Sequence, residues 1–200
     1  MMKQEINPTW AFKSDEVQTW AYQKEFLSKI ECEKIIKHAA NNLSKNKGSV
    51  FGSGRNDINF TYRDSNITWL YPNQDTDWLY RKLVDTVTML NNTYFKFHIS
   101  HFAEGLQFTN YKAPKGAYRK HVDRMNGITT RKLSLSIQLT DPKDYKGGDL
   151  ILYEDEKGVK IPKEQGTLIL FPSYVMHEVT KVTKGERNSL VAWITGDNFK

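Results

Sequence analysis

Leu133-Ser134-Leu135-Ser136-Ile137-Gln138-Leu139-Thr140-Asp141-Pro142 decides the fold class of this chain. Leu133, Leu135, Ile137 and Leu139 alternate with Ser134, Ser136 and Gln138. A period of two puts apolar side chains on one face of a β-strand and polar ones on the other. The stretch therefore predicts a half-buried strand, ended at Asp141–Pro142 because proline brings no N–H to a sheet ladder. Working outward, Gly147–Gly148 reads as a turn and Leu150–Tyr153 as a strand. Thr167–Phe171 is an apolar run ended by Pro172, and Ser189–Ile194 another ended by Gly196. Short strands at this spacing, from His98 onward, predict a sandwich or barrel.

The first half has a different texture. Ser28 followed by Glu31 is a capping-box pattern, and Cys32, Ile35, Ile36, Ala39 and Leu43 then draw one helical stripe. A second helix is expected from Asp75–Thr76, with Leu79, Leu83, Val87 and Leu90 facing a core and Asn91–Asn92 closing it. Between them Lys45–Tyr62, rich in Gly, Ser, Lys and Asn, reads as a loop long enough to be a lid. The expected architecture is α+β: one domain over residues 1–200, with residues 1–95 mainly helical support and loop, and residues 96–200 a β core.

Bulk properties narrow the function. At 38% hydrophobic and 26% charged the composition is that of a globular domain, and no apolar run approaches the roughly 20 residues that cross a bilayer. The opening MMKQEINPTW lacks the apolar core of a secretory signal. Cys32 is the sole cysteine, which excludes an internal disulfide and any multi-cysteine metal site, and a reducing cytoplasm is the expected setting. The net charge of +6 comes from scattered lysines without a run of five or six, so it reads as a solvated surface and argues against nucleic acid as a partner.

One spacing carries chemistry. In Lys120-His121-Val122-Asp123 an extended backbone turns His121 and Asp123 to the same face. His177, placed after the apolar run and Pro172, supplies a third ligand from a distant strand. Two histidines and a carboxylate on one face of an octahedron suit a non-haem iron(II) oxygenase; the same set also serves zinc hydrolases. Arg187 favours iron. It opens the last β run with Ser189 on the same face, and a guanidinium is the natural anchor for the far end of a dicarboxylic co-substrate. The plainer alternative is a surface arginine paired with Glu186. His98 and His101 face opposite ways on an extended stretch, His38 lies on the first helix, and Trp193 reads as core wall.

With these residues in place, the chain from Arg63 to Gly196 resembles the 2-oxoglutarate/Fe(II) dioxygenase superfamily, in its prolyl 4-hydroxylase-like (PKHD-type hydroxylase) branch. The resemblance rests on Thr109-Asn110-Tyr111, Gly116 to Asp123, Leu139–Leu150, Gly166–Glu178, Arg187 with Trp193, and the upstream Arg63-Asp64-Ser65 and Trp69-Leu70. It implies a double-stranded β-helix (jelly-roll) core, iron ligands His121, Asp123 and His177, and Arg187 on the distal carboxylate of 2-oxoglutarate. Tyr111, Ser134 and Ser189 would line that pocket. Gln138 stands where some relatives place a second tyrosine near that carboxylate, and Tyr118 fits the motif as a core or substrate-side aromatic. The implied reaction hydroxylates an unactivated C–H bond, foremost of a peptidyl proline, while O2 and 2-oxoglutarate yield succinate and carbon dioxide; ascorbate is a further cofactor of such enzymes. Two alternatives stay open: a nucleic-acid demethylase of the same superfamily, whose second arginine is here Trp193, and a non-enzymatic or zinc-binding cupin-like module.

Overall fold

The computed structural model describes residues 18–41, 62–124 and 130–197. Trp10, Leu43 and the expected lid, apart from Tyr62, lie outside these residues. In chain order the elements begin with β1 (Ala21–Gln23), α1 (Lys29–Asn41), β2 (Arg63–Asp64), β3 (Asn66–Leu70) and α2 (Asp77–Leu90). Strands β4 (His101–Phe102), β5 (Leu106–Lys112), β6 (Ala117–His121), β7 (Arg131–Gln138) and β8 (Lys146–Gly147) follow. The chain continues through β9 (Leu150–Tyr153), β10 (Val159–Lys160), β11 (Leu168–Pro172), β12 (Met176–Val179), β13 (Val182–Lys184) and β14 (Glu186–Thr195).

The capping box predicted for α1 forms. The Ser28 N–H donates to Glu31 Oε2 at 2.7 Å and the Glu31 N–H donates to Ser28 Oγ at 3.3 Å, so two end donors are satisfied reciprocally. Glu31 also pairs with Lys82 of α2 at 3.0 Å, joining the helices. Cys32, Ile35 and Ala39 are buried, with Ile36 partly so. Burial also drives the Cys32 thiol up to about 11, leaving it an inert packing group. On α2 the buried residues are the expected Leu79, Leu83, Val87 and Leu90. Asn91–Asn92 do not close it. The chain runs on through a π turn, Asn91–Phe95, and stops at left-handed Lys96 (φ 56°). Asn91 explains the extension: its side chain bonds both the N–H and the carbonyl of Phe97, which carries the helical path forward.

The strands form two antiparallel sheets. The larger has the order β1-β11-β7-β14-β5-β3, with β4 beside β14; the smaller has the order β10-β9-β12-β6-β2. A two-stranded ribbon joins β13 to β8. Three short strands from the half expected to be mainly helical, β1, β2 and β3, extend both sheets. Strand β7, expected to be half-buried, is not. Every residue from Arg131 to Gln138 is buried, because α1 and α2 cover one face of the large sheet and the small sheet covers the other.

These layers make two cores. Leu83, Leu79 and Cys32 pack with Leu135, Ile137, Leu170, Leu190 and Ala192 between helices and sheet. Leu150, Leu152, Ile169, Phe171 and Val179 pack between the sheets. Leu83 is wholly buried, so Leu83→Ala is expected to lower stability by about 2–5 kcal/mol through lost transfer energy and an unfilled cavity. Urea unfolding checks this; a change under 1 kcal/mol would mean that α2 is not anchored to the sheet.

Candidate active site

A cavity of about 850 Å³ lies between the sheets. Strand alternation decides what faces it. From β14, Arg187, Ser189, Val191 and Trp193 line the cavity, while Leu190, Ala192 and Ile194 turn to the helices. Gln107, Thr109 and Tyr111 do the same from β5. The small sheet contributes Tyr118 and His121 from β6 and His177 from β12.

His121 and His177 are direct cross-strand partners at the edge of β6 and β12. Asp123 follows β6, its N–H bonded to the Ser173 carbonyl at 3.0 Å. Its Oδ1 lies 3.6 Å from His121 Nε2 and its Oδ2 lies 3.4 Å from His177 Nε2. Each histidine donates its Nδ1–H to a backbone carbonyl, His121 to Arg119 at 2.7 Å and His177 to Val175 at 3.0 Å. Those bonds fix the tautomer and leave both Nε2 lone pairs free. The three ligand atoms lie within 4.8 Å of one another. Aimed lone pairs and a buried carboxylate fit a divalent metal, and among the described residues this is the one such cluster.

Without a metal the two imidazoles differ: burial opposes charge on His177, but the adjoining Asp123 carboxylate outweighs it and holds His177 above the ordinary histidine range. Burial, reinforced by the neighbouring His177, pushes His121 down to about 4. Burial opposes ionisation of Asp123, but His177 and His121 outweigh it and hold the carboxyl well below the usual carboxylate range. The Trp193 indole contributes to the same effect on Asp123, although its N–H makes no hydrogen bond of ordinary geometry. Trp193 is therefore both wall and neighbour of the carboxylate. Tyr118 stacks on His121, ring centroids 3.5 Å apart, and Phe171 meets His177 edge-on at 4.9 Å.

Arg187 stands deeper. It is 1% exposed, which rules out the surface-arginine alternative, and Glu186 pairs instead with Lys112. Its Nη1 donates to Ser189 Oγ at 3.3 Å and its Nη2 to Gln138 Oε1 at 3.0 Å. Gln138, at the position where the resemblance placed a tyrosine in some relatives, thus serves as a neutral partner. Tyr111 lies opposite Arg187 across the strands, its ring 5.4 Å from the guanidinium carbon. Gly148 leaves the room: with φ +61°, an added Cβ would come 3.0 Å from Arg187 Cδ. No carboxylate pairs with Arg187 among the described residues. Burying such a charge costs several kcal/mol unless a ligand balances it.

Of the residues expected at the site, His121, Asp123, His177, Arg187, Tyr111 and Ser189 meet in this cavity. Ser134 stands apart. Its hydroxyl bonds Ser173 Oγ at 3.1 Å, and Ser136, two residues on, lines the cavity in its place. His98 and His101 sit elsewhere, and half-buried His38 stays on α1. Sequence reasoning gave no role to Arg63, Gln107 or the Glu104–Arg131 ion pair, all of which line the cavity. Their one signal was polar residues inside an apolar strand context, as at Gln107 between Leu106 and Phe108.

Residues 106–195 match the model of the 2OG-Fe(II) oxygenase superfamily. Over that stretch the chain is similar to members of that superfamily. The chain is also similar to curated PKHD-type hydroxylases. One from Picosynechococcus sp. is 39% identical over 93 residues, 44% of this chain and 41% of that protein. One from Prochlorococcus marinus is 29% identical over 157 residues, 77% of this chain and 70% of that protein. The match spans about half the length of several of these curated relatives. In fold, a Pseudomonas putida prolyl-4-hydroxylase superposes with a TM-score of 0.71 at 22% identity, over 90% of this chain and 94% of that one. A Trichoplax adhaerens prolyl hydroxylase, solved with a hypoxia inducible factor peptide fragment, gives 0.73 at 20% identity, over 89% and 84%. The strand-rich fold with few helices is thus that of the prolyl hydroxylases. No helix among the described residues is long and apolar enough to cross a membrane.

Proposed function

We propose that this chain is an iron(II)- and 2-oxoglutarate-dependent oxygenase that hydroxylates an unactivated C–H bond in a peptide or protein, a peptidyl proline first among them. One observation carries the reading: an aimed His-Asp-His set and a buried arginine with no carboxylate partner share one cavity. On this reading the two facing sheets are a double-stranded β-helix, and residues 1–200 act as one oxygenase domain. Bound iron(II) and 2-oxoglutarate would supply the oxidising chemistry, with O2 consumed and succinate and carbon dioxide released.

The chain's own part is geometry. His121, Asp123 and His177 hold the metal from one side, and the backbone bonds of the two imidazoles keep the ligands from rotating. Arg187 takes the distal carboxylate, with Ser189, Gln138 and Tyr111 shaping the pocket around it. Trp193, Phe171 and Tyr118 keep water from the reacting centre. Glu104 Oε2 and Arg131 Nε are buried without partners, beside the bond that joins the two residues. A substrate group that offers both a donor and an acceptor would satisfy them. Ascorbate enters as a reductant of the iron, and the buried thiol of Cys32 suits a cytoplasmic setting.

Anaerobic addition of iron(II) and 2-oxoglutarate to the apo-protein is expected to produce a weak visible charge-transfer band only when both are present. Tight zinc binding with no 2-oxoglutarate binding would instead make this a zinc site.

A further inference from the structure

Besides Arg187 and Arg131, a third buried guanidinium faces the same cavity. Arg63, 7% exposed, is placed by the register of β2 on β6, which sets it opposite Tyr118. Its guanidinium lies over the Tyr118 ring, 4.7 Å from the centroid, and Tyr118 in turn stacks on the metal-site His121. Arg63 therefore stands one aromatic ring from the metal. Its hydrogen bonds go to neutral groups: Nε donates to Ser65 Oγ at 2.9 Å and Nη2 to Gln107 Oε1 at 2.7 Å. Among the described residues Nη1 has no partner and Arg63 no carboxylate.

The carboxylates that line the cavity are committed. Glu104 pairs with Arg131, and Asp123 belongs to the histidines and the metal between them. On the proposed reading the distal carboxylate of 2-oxoglutarate is taken by Arg187, in the pocket it shares with Gln138 and Ser189. Arg63 contacts none of those groups. A guanidinium this buried is stabilised chiefly by a charge-assisted bond to an anion, and its planar fork matches a carboxylate. The remaining source of such an anion is the molecule that enters the cavity to react.

We propose that Arg63 forms a second anion subsite, which binds a carboxylate carried by the substrate close to the carbon that is hydroxylated. The substrate class is then a carboxylate-bearing one: an acidic residue beside the target in a peptide, or a free terminal carboxylate. This rests on the reading of Arg187 as the co-substrate anchor.

Arginine side-chain NMR separates the two. The full chain, labelled with 15N-arginine, is held with zinc(II) as a diamagnetic stand-in for iron and with 2-oxoglutarate. N-acetylglycine offers a terminal carboxylate, N-acetyl-aspartic acid amide a side-chain one, and N-acetylglycinamide neither. The Arg63 Nε–H resonance, identified by its loss in Arg63→Gln or, should that variant not fold, Arg63→Lys, is expected to shift saturably with a carboxylate probe. Binding should be at least tenfold tighter than for the amide, and the more effective acid identifies the source. No shift with either acid, or an equal shift with the amide, overturns the subsite. The Arg187 resonance reports separately. If it ignores 2-oxoglutarate, the co-substrate reading fails on its own, whatever Arg63 does.

Discussion

Asp123→Ala is expected to abolish iron(II) binding and reduce 2-oxoglutarate turnover to background. Asp123 is the sole anion of the ligand set, and its two oxygens lie 3.6 Å and 3.4 Å from the two imidazole Nε2 atoms. Without it the metal would have only two neutral ligands, imidazoles with ring centroids 4.2 Å apart. The variant should stay folded, because the Asp123 backbone keeps its bond to Ser173 and the cores lie elsewhere. Circular dichroism of the apo-protein checks the fold, and metal analysis after desalting checks the iron. Asp123→Asn keeps shape and one oxygen acceptor without the charge, so it should retain weak binding. Full turnover in Asp123→Ala would remove this triad from the chemistry.

Much of this site was legible because strands report their facing residues at a period of two. His121 with Asp123, and Arg187 with Ser189, declare a shared face in the bare sequence. The same rule named Leu133, Leu135 and Ile137 as core, and the Ser28–Glu31 pattern started α1 where it starts. What stayed hidden depends on partners far along the chain. Ala21–Gln23 and Arg63–Asp64 are too short to show any period, and become strands only by lying against β11 and β6. Ser134 and Ser136 are equivalent by alternation. The difference comes from Ser173, which bonds the first and leaves the second to the cavity. Periodicity could not pair Gln138 with Arg187, since 49 residues separate the two, and only the family resemblance put Gln138 near that carboxylate. The π turn after Leu90 likewise needed the Asn91 side chain to reach Phe97.

Arg187→Ala should raise the KM for 2-oxoglutarate by a factor on the order of 10² to 10³, while kcat falls much less. The estimate comes from truncating one member of a buried, hydrogen-bonded charge pair, which costs about 2–5 kcal/mol. The proposed iron ligands stand on or beside other strands, so metal binding should persist and the charge-transfer band should return at high co-substrate. Arg187→Lys is expected to fall between, since an ammonium cannot make the two parallel bonds of the guanidinium fork. Stability offers an independent check. In the apo-protein Arg187 is a buried cation held by the neutral groups of Ser189 and Gln138. Arg187→Met, close in volume and uncharged, should therefore leave the apo-protein as stable or more stable, by about 1–4 kcal/mol. The same variant should lose the rise in melting temperature that 2-oxoglutarate gives the parent protein, because only a ligand that binds the folded state raises it. A variant that is less stable without ligand, yet still stabilised by 2-oxoglutarate, would make Arg187 a structural residue. The opposite pattern, stability gained and co-substrate lost, is what a residue kept for its ligand should show.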